Sequence, residues 1–216
     1  MDRSINFTET VMLVGNGPYS RNDFKKALLK SSSVVVADGG ANAAHREGVK
    51  AKFVIGDMDS VSTKVKALYS KDEFCEIDCQ DSTDLEKCLH LVIAPKFIGI
   101  GFLGGRLDHE LANLSALVKF PEQKCILIGS RDICFLCPDV LSIKLPVGTR
   151  FSVFPMSSIE GASQGLKYPI DNLKLNPAKK VGTSNEVVSK VQLSFNHRSA
   201  IIILPKKYLT NVLEVL

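Results

Sequence analysis

The chain has 216 residues, 45% hydrophobic and 23% charged, with 15 Gly and 9 Pro. That composition excludes a disordered polyelectrolyte and a collagen-like repeat, and a chain this long buries enough apolar surface to fold without disulfide or metal staples. The net charge of +4 is uneven: residues 142–216 hold 10 Lys+Arg against 4 Asp+Glu, leaving 17 against 19 for residues 1–141.

The first 120 residues alternate between two kinds of segment. Apolar, β-rich runs are TVMLVG (10–15), VVVAD (34–38), KFVIGD (52–57), FCEID (74–78) and FIGIGFL (97–103). Helical patterns lie between and after them, over 22–30, 41–47, 62–71, 83–94 and 107–118. The fourth is the clearest. Leu85, Cys88, Leu89 and Val92 recur at i, i+3, i+4, i+7, with Glu86, Lys87 and His90 predicted to face away. Thr83 and Glu86 have capping-box spacing. In the fifth, Leu107, Leu111, Leu114 and Leu117 predict a buried stripe. Strands that read as continuous apolar runs and alternate with helices imply a mainly parallel sheet covered on both faces.

Beyond residue 120 the pattern changes. CILIG, a turn at 130–132 and ICFLC read as a hairpin, followed by LSIKL, FSVFP, VVSKVQLSF and AIIILP. These short runs, separated by Gly, Pro, Asn and Ser, predict an antiparallel sandwich without useful helical periodicity. The expected division is an α/β domain over 1–130 and an all-β sandwich over 131–216.

The six cysteines are Cys75, Cys79, Cys88, Cys125, Cys134 and Cys137. MDRSINFTET carries no apolar leader and no apolar run reaches the roughly 18 residues of a membrane helix, so reduced, mostly buried thiols in a cytoplasmic protein without a membrane partner are expected. Cys134 and Cys137 share one strand at an odd spacing, which argues against chelation. The basic residues are scattered rather than run together, so no nucleic-acid partner is expected. The uneven charge suits an acidic, metal-binding portion beside a basic one, with a polyanionic ligand between them.

Ligands of open parallel sheets bind beyond the carboxyl ends of the strands. Gly-Asn-Gly (15–17), Ala-Asp-Gly-Gly-Ala-Asn (37–42), Gly-Asp-Met-Asp-Ser (56–60), Gln-Asp-Ser-Thr-Asp (80–84) and Gly-Gly-Arg-Leu-Asp-His (104–109) all fall there. Any one of these loops could be turn chemistry alone; five in series at one edge point to a site. Asp57 and Asp59, two apart, project to one side and repel unless a cation lies between them. With Asp81 they form a carboxylate set suited to Mg2+, which retains waters and shares its shell with phosphates. Gly39-Gly40 and Gly104-Gly105 would let backbone approach an anion at helix starts, and Arg106 can grip phosphate bidentately. Neither a Walker A motif nor G-x-G-x-x-G occurs. None of His45, His90, His109 and His197 is assigned a catalytic role.

At these residues the chain resembles the thiamine diphosphokinase (thiamin pyrophosphokinase) family, through VVVADGGAN (34–42), FVIGDMDSV (53–61), DSTDLEKCL (81–89), GGRLDHELANL (104–114), GLKYPIDNLKL (165–175) and VGTSNEV (181–187). DSTDLE, GGRLDHxLAN and GLKYPxDN with GTSNE look closer to the bacterial branch, and Met58 stands where Phe is commoner. No role is transferred to Cys79. The resemblance implies an N-terminal nucleotide domain, a C-terminal β-sandwich and a homodimer. It also implies a reaction in which the thiamine hydroxyl attacks the β-phosphorus of ATP and AMP leaves, giving thiamine diphosphate. The hydroxyl proton goes to one of the clustered aspartates or to phosphate itself. Asp57, Asp59 and Asp81 would hold Mg2+ and, with Arg106, act in catalysis. Asp38, Gly39, Gly40, Asn42, Gly104, Gly105, Arg106 and Asp108 would bind nucleotide. Asp38 and Asp84 would support the metal cluster, Asp84 on the substrate side, and Tyr168, Thr183, Ser184 and Asn185 would serve thiamine. A silent thiamine or nucleotide sensor, a Mg2+-dependent nucleotide hydrolase and a scaffold are the alternatives.

Overall fold

A computed structural model describes residues 4–77 and 81–216. Asp78, the end of the run FCEID, lies outside the described residues, as do Cys79 and Gln80. The chain divides into two compact units, Met1–Ala116 with Cys125–Ser130, and Leu117–Lys124 with Arg131–Leu216.

The first unit comprises β1 Ile5–Asn6, β2 Val11–Val14, α1 Arg21–Leu28, β3 Ser33–Ala37, α2 Gly40–Arg46, β4 Phe53–Gly56, α3 Thr63–Lys66, β5 Phe74–Glu76, α4 Asp84–Leu91, β6 Val92–Ile93, β7 Phe97–Ile100, α5 Leu107–Lys119 up to Ala116, and β8 Cys125–Ile128. Six strands pair in parallel in the order β8-β7-β2-β3-β4-β5. Every residue of β2, β7 and β8 is buried, as a sheet covered on both faces requires. CILIG thus joins the parallel sheet beside β7. Two of the helices, α1 and α4, start on side-chain caps: Ser20 accepts from the Asp23 N–H at 3.1 Å and Thr83 from the Glu86 N–H at 3.3 Å, which satisfies donors left over in a first turn. At Gly40 a Cβ would come within 2.0 Å of the Val14 carbonyl oxygen. Glycine there is a packing requirement, letting α2 lie on β2.

Four local expectations need correction. The fourth helix stops at Leu91, because β-branched Val92 turns extended and β6 pairs in parallel with β1. Lys87, expected to face away, is 5% exposed. The leucine stripe of α5 is only partly buried: Leu107 and Leu111 are exposed, and Asn113, Ala116 and Leu117 face inward. The helix predicted over 62–71 is also shorter, a single turn in α3 followed by a 3-10 turn at Lys71–Glu73.

The second unit comprises β9 Asp132–Leu136, β10 Val140–Ile143, β11 Arg150–Pro155, β12 Ile159–Leu166, β13 Lys174–Leu175, β14 Thr183–Phe195, β15 Ala200–Pro205 and α6 Leu209–Val215. The ladders linking these strands to one another are antiparallel. The long β14 serves two sets of partners. Its Thr183–Glu186 end pairs with β11, and Val191–Ser194 pairs with β10. Phe135, Phe151, Val187, Val191 and Ile201 are fully buried in this unit. The seven-residue α6, not expected from the sequence, buries Leu209 and Val212. Of the five described cysteines, Cys75 is half-buried and the other four are buried. Burial pushes the Cys137 thiol up to about 12. Among the described residues, no helix is long and apolar enough to cross a membrane.

Candidate functional site

β2 lies at the centre of the parallel sheet. The chain runs outward from it through β3, β4 and β5 on one side and through β7 and β8 on the other. That reversal of strand order opens a crevice beyond the carboxyl ends of β2 and β7, where such sheets take ligands. Gly15 and Gly17 donate backbone hydrogen bonds to Ile100 and Gly101, both at 2.8 Å, and close its floor. The resulting cavity, about 470 Å3, is lined by Asn16, Asp38, Ser60, Thr83, Asp84, Phe102, Gly105, Arg106, His109, Glu110 and Asn113 among others.

The carboxylates stand on adjacent strand ends. Asp38 follows β3 and Asp57 follows β4, strands held in register by the pairing of Ala37 with Ile55. Oxygens of Asp38, Asp57 and Asp59 all lie within 4.8 Å of one another. Asp38 is 5% exposed, sits at φ 42, and carries a buried Oδ1 without a hydrogen-bond partner among the described residues. A buried, unpaired carboxylate oxygen is costly and calls for a ligand. Gly56, at φ +147, places its α-carbon where a Cβ would lie 2.9 Å from that of Asp38, so glycine is what admits the Asp38 side chain. Asp59 is exposed, and its Oδ1 accepts from Ser60 Oγ at 2.7 Å. Oxygen-only donors of this kind fit a hard divalent cation.

Asp81 is exposed in the turn ahead of Thr83 and is not one of the three. Asp38 stands beside Asp57 and Asp59 because β3 neighbours β4 directly in the sheet. Asp84 is half-buried in the cavity wall. Burial, then the charges of Asp38 and Asp57, push its carboxyl above the ordinary range, while Lys87 and His109 act against them. Lys87 Nζ lies 3.7 Å from Asp57 Oδ2.

Asn42 bonds the loop that follows Asp57 and Asp59 and is not among the residues that line the cavity. Its Nδ2 donates to Ser60 O at 2.8 Å, and its Oδ1 accepts from the Ser62 N–H at 3.1 Å. Gly39 and Gly40 are buried at the start of α2. Gly104 and Gly105 are exposed, and Gly105 lines the cavity. Arg106 Nε donates to Asp108 Oδ1 at 3.1 Å and Nη2 to Oδ2 at 2.5 Å. This bidentate bond holds the Asp108 carboxyl down at about 2. The same fork geometry suits phosphate. Sequence reasoning missed Lys87 and gave no role to His109, Glu110 or Asn113; the buried face of α4 and the first turns of α5 were the signals available.

Residues assigned to thiamine lie in the second unit. Asn185 brackets Tyr168: its Oδ1 accepts from the Tyr168 N–H at 3.0 Å, and its Nδ2 donates to Tyr168 O at 2.6 Å. The Tyr168 residue is 62% exposed, with Lys167 Nζ 5.8 Å from its ring centre. Ser184 is exposed on β14, and the Thr183 side chain lies outside the described residues.

Family comparisons agree with this arrangement. Residues 24–128 match the thiamin pyrophosphokinase catalytic domain and residues 141–202 the thiamin pyrophosphokinase vitamin B1 binding domain. Thiamine pyrophosphokinase 1 of Oryza sativa subsp. japonica is 29% identical, with 71% of each chain covered. Thiamin pyrophosphokinase 1 of Caenorhabditis elegans is also 29% identical, with 63% of each covered. The fold is shared with yeast thiamin pyrophosphokinase, at a TM-score of 0.76 and 17% identity over 99% of this chain and 94% of that one. It is shared too with thiamine pyrophosphokinase from Bacillus subtilis, at 0.72 and 24% over 91% and 99%. With both of its units matched in order, the chain belongs to the thiamin pyrophosphokinase family.

Proposed function

We propose that this protein is a Mg2+-dependent thiamine diphosphokinase, transferring the diphosphoryl group of ATP to the hydroxyl of thiamine with release of AMP. The observation that carries the reading is the buried, unpartnered Asp38 Oδ1 beside Asp57 and Asp59, on the wall of a cavity at the sheet's switch point. Asp57, Asp59 and Asp81 would hold Mg2+, with Asp38 and Asp84 completing the acidic wall. A bound Mg2+ supplies positive charge that neutralises and aligns the phosphate chain.

The chain's own residues then need do little covalent work, since diphosphoryl transfer depends mainly on alignment and charge neutralisation. Arg106 turns its fork from Asp108 to a phosphate, and Asp108 keeps that guanidinium at the cavity mouth. Gly39, Gly40 and Asn42 brace the loops around the nucleotide, and Gly104-Gly105 leave room for it. The new bond joins the thiamine oxygen to the β-phosphorus as the bond from β-phosphorus to the AMP oxygen breaks. Tyr168, Thr183, Ser184 and Asn185 serve the thiamine side, and two copies of the chain form the working homodimer in the cytoplasm. Within the family, DSTDLE and GGRLDHELAN support a place nearer the bacterial branch.

Release of AMP from ATP and Mg2+ that requires thiamine tests the reading. Thiamine-independent hydrolysis of ATP, or no turnover by folded protein, overturns it.

A further inference from the structure

We infer that Lys87 is the resident cation of the carboxylate pocket, balancing its charge in the metal-free protein and opposing entry of a divalent ion. The inference rests on the metal reading above and adds a residue to it. Lys87 lies in α4 between Glu86 and Cys88, on the side of the helix where Leu85, Cys88 and Leu89 are fully buried. Its side chain is 4% exposed, against 30% for its partner Asp57. An ammonium so enclosed is costly unless opposite charge repays it. The 3.7 Å to Asp57 Oδ2 is longer than a direct hydrogen bond, so Lys87 is not locked to one oxygen and acts by charge on the group. That group holds Asp38, Asp57 and Asp59 within 4.8 Å, with Asp84 in the same field. The buried Oδ1 of Asp38 has no hydrogen-bond partner, so carboxylate charge there is balanced across space rather than by direct bonding. A cation inside the pocket lowers mutual repulsion when no metal is present. It also makes the site less attractive to a divalent ion until phosphate oxygens contribute their own charge.

The test is Mn2+ binding to the whole protein without nucleotide, measured by calorimetry, alongside thermal melts with and without Mn2+. Lys87→Met is expected to melt lower than wild type in the metal-free state. It should gain more in Tm from Mn2+, and bind it about tenfold more tightly, once the opposing charge is gone. Lys87→Arg keeps the charge and should bind Mn2+ as wild type does. Equal Mn2+ affinity and equal Mn2+-induced gain in Lys87→Met and wild type would overturn the inference while leaving the metal site standing. A wild type that binds no Mn2+ overturns the metal reading and this inference with it. Should Lys87→Met not fold, Lys87→Gln, which keeps a polar side chain in the pocket without its charge, takes its place. It too should bind Mn2+ more tightly than wild type, and wild-type affinity in a folded Lys87→Gln counts against the charge role.

Discussion

At the carboxyl edge of the parallel sheet, Asp38 is buried with an oxygen that has no hydrogen-bond partner among the described residues. In the antiparallel unit, Asn185 spends both ends of its amide on the backbone of Tyr168. Both residues belong to segments that carry the family resemblance, yet their chemistry differs. Asp38 bears a cost that only a ligand relieves, whereas Asn185 is already satisfied and earns its place by shaping the loop that presents an exposed tyrosine. Polar groups of a resting site therefore fall into two kinds, those left open for a ligand and those that hold the open ones in position. Asn42 is of the second kind within the first unit, joining α2 to the loop of Asp57 and Asp59 through Ser60 and Ser62.

The largest effect expected from disturbing this contrast is at Gly40. Gly40→Ala drives a methyl into the Val14 carbonyl and should cost on the order of 3 kcal/mol, measured by chemical denaturation. Wild-type stability in that variant would mean that α2 can shift freely and does not set the position of Asp38. Next comes Asp59→Asn, which removes charge without volume. Turnover should fall by on the order of 10²-fold with the melting temperature little changed, and near-normal AMP release would contradict a metal role for Asp59. Asn185→Ala is milder, with a stability loss of about 1 kcal/mol from the freed Tyr168 backbone groups. If Asn185 acts by placing Tyr168, KM for thiamine should rise more than kcat falls, and KM for ATP should stay unchanged.

The smallest effect concerns Asp108. Its carboxyl is held at about 2 by Arg106, below the ordinary value of about 3.9. The stabilisation this pair contributes is present above that ordinary value and is lost as pH falls through about 2. Carboxyl NMR should show Asp108 still ionised at about pH 3, where a free aspartate is mostly protonated. In Arg106→Gln it should titrate in the usual range. Because the pair is fully exposed, melting temperature should barely respond.

Much of the fold was legible in the sequence because apolar runs of strand length cannot be read otherwise once helical periods alternate with them. The parallel sheet, the antiparallel second unit and the edge where aspartates gather follow from that alternation. Misreadings arose where a side chain's neighbours, not its type, decide its surroundings. Periodicity turned Lys87 outward because lysine is polar; the opposing carboxylates turn it in. The α5 leucines read as a core stripe, yet Leu107 and Leu111 face solvent while Asn113 faces inward and donates to the Phe102 carbonyl at 2.8 Å. A hydrogen bond to a turn eleven residues away leaves no trace in helical spacing. Asp38 entered the cluster because strand order places β3 beside β4, and strand order is not written in any single segment.

Local pattern by itself determined the main strands and helices of the parallel sheet and that acidic loops would end its strands, since burial and turn formation act over a few residues. Only the tertiary structure decided which three carboxylates meet, which oxygen among them is left without a partner, and which lysine shares their charge. Those outcomes depend on sheet order, and sheet order is set by packing between segments far apart in the chain.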